Sequence, residues 1–119
     1  MRKSEPNRVN RKRKRETFIR CYESLDRVLF IKALPCVVSG CPNQPCDNMH
    51  IQGDGAGRKA DSTFVVPGCT VHHHLLDDEL GRTKFEQLYH VNLAVEAIDT
   101  ELKWRQHVTH LDGGSGLTF

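Results

Sequence analysis

Two close pairs of potential metal ligands constrain this chain more than any other feature of its sequence. Cys36 and Cys41 are separated by four residues, Cys69 and His72 by two, and 27 residues lie between the pairs. Three thiolates and one imidazole at such spacings are typical of a tetrahedral structural zinc site. A closed site of this kind would contribute directly to the free energy of folding. The alternative is that the cysteines are buried as small apolar side chains.

The length and the cysteine count favour zinc over disulfides. A chain of 119 residues forms one small domain with a modest core, which often needs a metal or a disulfide for stability. Five cysteines are an odd number, and the chain starts with no secretory signal pattern, so a disulfide framework is the weaker interpretation. Cys46 repeats the spacing of the first pair, and the sequence leaves open whether Cys46 or His72 is the fourth ligand.

The charge is distributed unevenly along the chain. Residues 1–20 carry nine Lys or Arg against two Glu, a balance of +7, and the remaining residues carry eight against thirteen acids, a balance of −5. Such a basic block is either a solvated tail or an arm that binds the phosphates of DNA. Since no apolar run approaches the roughly 20 residues of a membrane span, we expect a cytoplasmic protein with no membrane partner. The densest basic run is Arg11, Lys12, Arg13, Lys14 and Arg15.

The periodicity of the apolar residues predicts a small α+β fold. Apolar residues at helical spacing predict a helix from about Glu16 to Lys32, and Asn92 is a plausible N-cap for a final helix. Two short apolar runs around His50 and Val65 predict strands, and a short helix follows Cys69. The predicted domains are a disordered basic arm over 1–15, a folded domain over 16–110 and a flexible tail over 111–119.

Three residues outside the zinc pairs are candidates for catalysis. His73 and Asp77 stand one helical turn apart, so their side chains point the same way and can chelate a divalent cation with positions left open. His50 lies in a strand and is a candidate base, although a histidine in a strand is more often a satisfied core residue.

The order and spacing of these residues over most of positions 28 to 90 resemble the prophage HNH nucleases. The resemblance is strongest to the recombination-enhancement, RecA-dependent nuclease group, which also has a basic N-terminal arm and a segment like Gly81 to Tyr89. The matching segments are Leu34-Pro35-Cys36, Cys41, Met49-His50-Ile51, Gly57-Arg58-Lys59 and Val66 to His73.

The resemblance implies a ββα-metal site with a zinc knuckle, flanked by an N-terminal helix and C-terminal helices. In that family the histidine matching His50 is the general base, and the one matching His73 binds the catalytic metal. Asp77 stands where relatives often have another histidine, and its carboxylate suits Mg²⁺ or Mn²⁺. Asp61 is the candidate for orienting the loop of the base, one residue before the family position, and Met49 replaces a residue that is often Asp or His.

The function implied is metal-dependent hydrolysis of DNA, leaving 5′ phosphates, in a bacterial host cell and linked to recombination or repair. Arg58 and Lys59 would contact phosphate, or lie in an ordinary solvated loop. A RecA filament is the protein partner that the resemblance suggests. The rival interpretation is a DNA-binding accessory module that is stabilised by structural zinc and has lost catalysis. The sequence leaves open whether the DNA is single- or double-stranded and which oligomeric state the protein adopts.

Overall fold

A computed structural model describes the backbone of residues 8–51 and 61–116, and the side chains of residues 10–51 and 61–110. Helix α1 spans Arg8–Tyr22 and helix α2 spans Leu25–Lys32. The single helix predicted here is interrupted because Glu23 adopts a φ of +71° and Ser24 starts a new helix. The Ser24 hydroxyl accepts a hydrogen bond of 3.2 Å from the backbone N–H of Arg27, as an N-cap does.

Strands β1 (Asp47–His50) and β2 (Val65–Gly68) form an antiparallel hairpin. Asp47 pairs with Gly68 at one end and His50 with Val65 at the other. Successive side chains of a strand point to opposite faces, so Asp47 and Met49 share one face and His50 lies on the other. A Cβ on Gly68 would stand 2.5 Å from Met49 Sδ, so this position has no room for a side chain.

The chain leaves β2 directly into a helical segment that packs on both strands. Helix α3 spans Thr70–His74, continues as a π-helical stretch over Leu75–Leu80, and is followed by α4 over Gly81–Tyr89. Asn92 then caps α5 (Leu93–Gly116) by accepting a 3.1 Å hydrogen bond from the N–H of Val95, as predicted. The predicted α+β architecture is confirmed at this level.

The buried core lies between the hairpin and the helices that follow it, and among the described residues it includes Met49, Val66, Phe85, Leu93 and Ala97. No helix within residues 8–51 and 61–116 is both long and apolar enough to cross a bilayer.

A buried ion pair joins α2 to α5. The Arg27 side chain is wholly inaccessible, and its Nη2 donates a 2.6 Å hydrogen bond to Glu101 Oε1. Arg27 Nε and Nη1 have no hydrogen-bond partner. Trp104 on α5 donates from Nε1 to Glu23 Oε2 at 3.0 Å, so the junction between α1 and α2 is also tied to α5.

Helices α1 and α5 both extend into the predicted terminal segments. Arg11 to Arg15 lie within α1, because Arg and Lys are good helix formers and no Gly or Pro interrupts residues 7–34. At the other end, α5 continues through the glycines of the predicted tail to Gly116. Elongating a helix that is already packed adds one hydrogen bond per residue, which offsets the low helix propensity of glycine.

Candidate functional site

Cys36, Cys41, Cys69 and His72 converge into one cluster whose potential ligand atoms all lie within 4.8 Å of one another. The first pair comes from the segment before β1, and the second pair from the start of α3. Cys69 caps that helix, because its Sγ accepts a 3.4 Å hydrogen bond from the N–H of His72. These four side chains can therefore hold a metal ion.

The distances between the potential ligand atoms show whether the cluster suits a tetrahedrally coordinated ion. His72 Nδ1 lies 3.2 Å from Cys69 Sγ and 3.4 Å from Cys36 Sγ, and Cys41 Sγ lies 3.9 Å from Cys69 Sγ. A tetrahedron with Zn–S bonds of about 2.3 Å and a Zn–N bond of about 2.0 Å has edges of roughly 3.8 Å and 3.5 Å. The residues present fit this ion, and all four ligand positions are filled, as in a structural site.

Burial and hydrogen bonds to sulfur act in opposite directions on the thiols of the cluster. The Cys69 N–H donates to Cys36 Sγ at 3.5 Å, and Asn43 Nδ2 donates to Cys69 Sγ at 3.6 Å. Burial raises the pKa of the Cys36 thiol to about 12. Burial also acts to raise the pKa of Cys69, but hydrogen bonds to its sulfur outweigh this and the net pKa falls. Burial lowers the pKa of His72, which keeps its ring neutral and able to coordinate.

The structure selects His72 over Cys46 as the fourth member of the cluster. Cys46 is fully buried, and its Sγ lies 3.8 Å from the carbonyl oxygen of Asn43. Burial raises the pKa of this thiol as well, the proximity of Cys69 and Cys41 adding to the effect. Cys46 is therefore a core residue beside the cluster.

His73 and Asp77 are brought together as predicted. His73 Nε2 lies 3.0 Å from Asp77 Oδ2, across one turn of the helix. The side chains are 30% and 50% exposed, so the pair faces solvent at its outer end. On the other side of the ring, His73 Nδ1 lies 2.9 Å from Asp47 Oδ2, at the first residue of β1. Sequence reasoning missed Asp47, although its position two residues before Met49 places it on the same strand face.

His50 projects from the opposite face of the hairpin. Its Nε2 donates a 2.8 Å hydrogen bond to the carbonyl oxygen of Cys21, and its ring packs edge-on against Tyr22 at 5.1 Å between centroids. Asn48, on the same face, donates to the carbonyl oxygen of Val28. The structure thus places His50 against α1, whereas His73 meets the hairpin from α3.

Asp61 is the N-cap of a short helical turn, Ser62–Phe64, directly before β2. Its carboxylate accepts hydrogen bonds from the backbone N–H and the hydroxyl of Thr63, and the hydroxyl bond is the largest cause of its lowered pKa. The charges of Arg20 and His50 lower this pKa further. Asp61 therefore caps the turn that leads into β2. Arg58 and Lys59 lie outside the described residues.

Met49, where a metal ligand is often found in the HNH pattern, is fully buried among Cys46, Val66 and Cys69. The side chain of Met49 serves the packing of the core.

Helix α1 is exposed at every residue from Asn10 to Arg20, including all members of the basic run. No protein-family model, curated protein or solved structure matches this chain.

Proposed function

We propose that this protein is a zinc-stabilised, metal-dependent DNA endonuclease of the HNH type. The observation that carries the proposal is the 3.0 Å approach of His73 Nε2 and Asp77 Oδ2 on the helix that follows the hairpin. Two neighbouring ligands of one octahedral cation, each bonded at about 2.1 Å, stand about 3.0 Å apart. Asp77 is half exposed and His73 is partly exposed, so the remaining positions of the ion would be open to water and to a phosphate oxygen.

In this proposal the zinc cluster is structural and the second metal is catalytic. His73 and Asp77 would hold Mg²⁺ or Mn²⁺, which stabilises the negative charge that develops on phosphate and on the departing 3′ oxygen. The closed Cys₃His cluster would fix the start of the helix on which both ligands stand. A rigid helix is a suitable base for a site, because ligands placed on regular elements are held more accurately than those on loops.

His50 is the proposed general base. A carbonyl oxygen only accepts hydrogen bonds, so the contact with Cys21 places the proton of the neutral ring on Nε2 and the lone pair on Nδ1. A neutral imidazole with a fixed tautomer can take a proton from water near neutral pH. Electrostatic contact with Asp61 would stabilise the imidazolium that results.

Helix α1 is the proposed DNA-binding element. Its basic run is exposed all around the helix, so it can approach the phosphates of either strand without a fixed orientation. Contacts of this kind release counterions and carry no base specificity. We therefore expect affinity that is independent of sequence and falls steeply with salt.

A second candidate function is favoured by the position of His50. Because His50 points away from the hairpin face that His73 of α3 contacts, the domain is also suited to a zinc-stabilised DNA-binding module without catalysis. The buried Met49 agrees with this alternative, since it supplies no ligand to a second metal. This module would bind DNA through α1 and leave it uncut.

The test is cleavage of supercoiled plasmid and single-stranded DNA by the zinc-loaded full chain with Mg²⁺, Mn²⁺ or EDTA, with and without a RecA filament. We expect metal-dependent nicking that falls by about 10²- to 10⁴-fold in His50→Gln, which retains a donor for the Cys21 carbonyl but cannot serve as the base. His74→Ala is the matched control, because this exposed histidine pairs with a carboxylate on its own helix, Asp78.

Cutting by His50→Gln at the rate of the wild-type chain would refute the role of His50 as the general base. Salt-sensitive binding with no cutting by the wild-type chain under any condition would favour the DNA-binding module.

A further inference from the structure

His73 is held between two carboxylates, one on each ring nitrogen. Asp47 lies 2.9 Å from Nδ1 and Asp77 lies 3.0 Å from Nε2. The two nitrogens of an imidazole point in divergent directions, so a single cation cannot bind both. One of the carboxylates must therefore act on the ring rather than share its metal.

We propose that Asp47 is a positioning residue, which holds the proton of His73 on Nδ1 and so presents the Nε2 lone pair to the cation shared with Asp77. This inference rests on the metal site of the proposed function. Histidine ligands commonly donate their second N–H to a carboxylate, which fixes the tautomer and the orientation of the ring.

The exposure of the two carboxylates decides which one orients the ring. Asp77 is 50% exposed and Asp47 is 35% exposed, so the carboxylate on the Nε2 side is the more open to solvent, as a cation that also binds water and phosphate requires. Asp47 is placed by strand pairing. It begins β1 and pairs with Gly68, the residue immediately before Cys69 of the metal cluster.

The same register explains why Asp47 reaches the helix although Met49 cannot provide a ligand. Both side chains project from the face of β1 that meets α3. Met49 is fully buried against Gly68, whereas Asp47, two residues earlier, stands at the end of the hairpin beside the first turn of the helix. His73 completes that turn, since its N–H donates to the carbonyl oxygen of Cys69 at 2.8 Å.

The experiment compares the zinc-loaded full chain with Asp47→Ala, Asp47→Asn and Asp77→Asn. Nitrogen NMR of the histidine rings, at a pH where imidazole is neutral, reports the tautomer of His73 without any second metal. Titration with Mn²⁺ then reports the affinity of the site. Asp78→Asn, which removes the carboxylate partner of the neighbouring His74, is the matched control.

We expect the proton of His73 on Nδ1 in the wild-type chain and in Asp77→Asn. In Asp47→Ala the population should shift towards the Nε2–H form, and the affinity for Mn²⁺ should fall by about 10- to 100-fold. Asp47→Asn should recover part of both losses, because its amide oxygen can still accept from Nδ1. Zinc content should be unchanged in all variants.

An unchanged tautomer and unchanged Mn²⁺ affinity in Asp47→Ala would overturn the inference. Loss of Mn²⁺ binding with no change of tautomer would also overturn it, since Asp47 would then be a ligand. Absence of Mn²⁺ binding in the wild-type chain would do the same. A chain that binds Mn²⁺ in an Asp47-dependent manner but does not cut DNA would leave this inference intact and refute the nuclease.

Discussion

Removal of zinc should destabilise the domain by an amount that follows from the length of chain the cluster closes. Cys41 and Cys69, whose sulfurs are in contact, are 28 positions apart. A cross-link over a loop of this length removes about 3.6 kcal/mol of chain entropy from the unfolded state. A domain of 119 residues is stable by about 6 to 18 kcal/mol, so the cluster accounts for a large share of its stability.

This free energy corresponds to a measurable change in melting temperature. With an unfolding entropy of about 0.25 kcal/mol/K for a chain of this size, loss of the cross-link should lower Tm by about 14 °C. The measured decrease in Tm should be larger than this, because removal of the ion also leaves three cysteines packed together. Calorimetry of the full chain with and without a strong chelator measures the change, and elemental analysis gives the zinc stoichiometry.

Single-residue variants identify the ligands in the same assay. His72→Ala and Cys69→Ser should each lose zinc and reproduce the drop in Tm, whereas Cys46→Ser and Cys21→Ser should retain one zinc per chain. Both control cysteines are buried, so they correct for the cost of changing a buried thiol. Retention of zinc by His72→Ala together with its loss from Cys46→Ser would refute the assignment. A shift of Tm below about 3 °C on chelation would refute the structural role of the metal.

The remaining predictions concern the buried ion pair and the basic helix. Glu101→Gln should reduce the free energy of unfolding by up to about 3 to 5 kcal/mol, because the buried guanidinium of Arg27 would lose its nearer carboxylate and keep the more distant Glu23 Oε1, 3.9 Å from Nε, whereas Arg105→Gln at the exposed edge should cost less than about 1 kcal/mol. Burial acts to raise the pKa of Glu101, but hydrogen bonds from Arg105 and Arg27 outweigh it and hold the pKa below the ordinary 4.5. The stabilisation by this ion pair is therefore present at neutral pH and is lost as the pH falls through the folded pKa. Acid titration of unfolding measures this loss. Replacing the five cations of residues 11–15 by Gln should flatten the salt dependence of DNA affinity by a slope of up to about 4.5, and an unchanged slope would exclude these five side chains from phosphate contact.

Much of the local structure could be predicted from the sequence. The short helix after Cys69 was predicted from the sequence, and the one-turn spacing of His73 and Asp77 predicted that they share a face, since this depends only on helix geometry. Caps such as Asn92 are equally local. The break of the first helix at Glu23 was missed, because Ser24 can occupy either a helix interior or an N-cap.

Contacts across elements were decided by the tertiary structure alone. The sequence left Cys46 and His72 as alternative fourth ligands, and only the packing of the hairpin against α3 brought His72 into the cluster and directed Cys46 into the core. The partnership of Asp47 with His73 and the placement of His50 against α1 follow from strand register, which sets the face that each side chain occupies. Register depends on the burial of an entire face, and a shift by one residue would exchange the two faces, so no short motif specifies it.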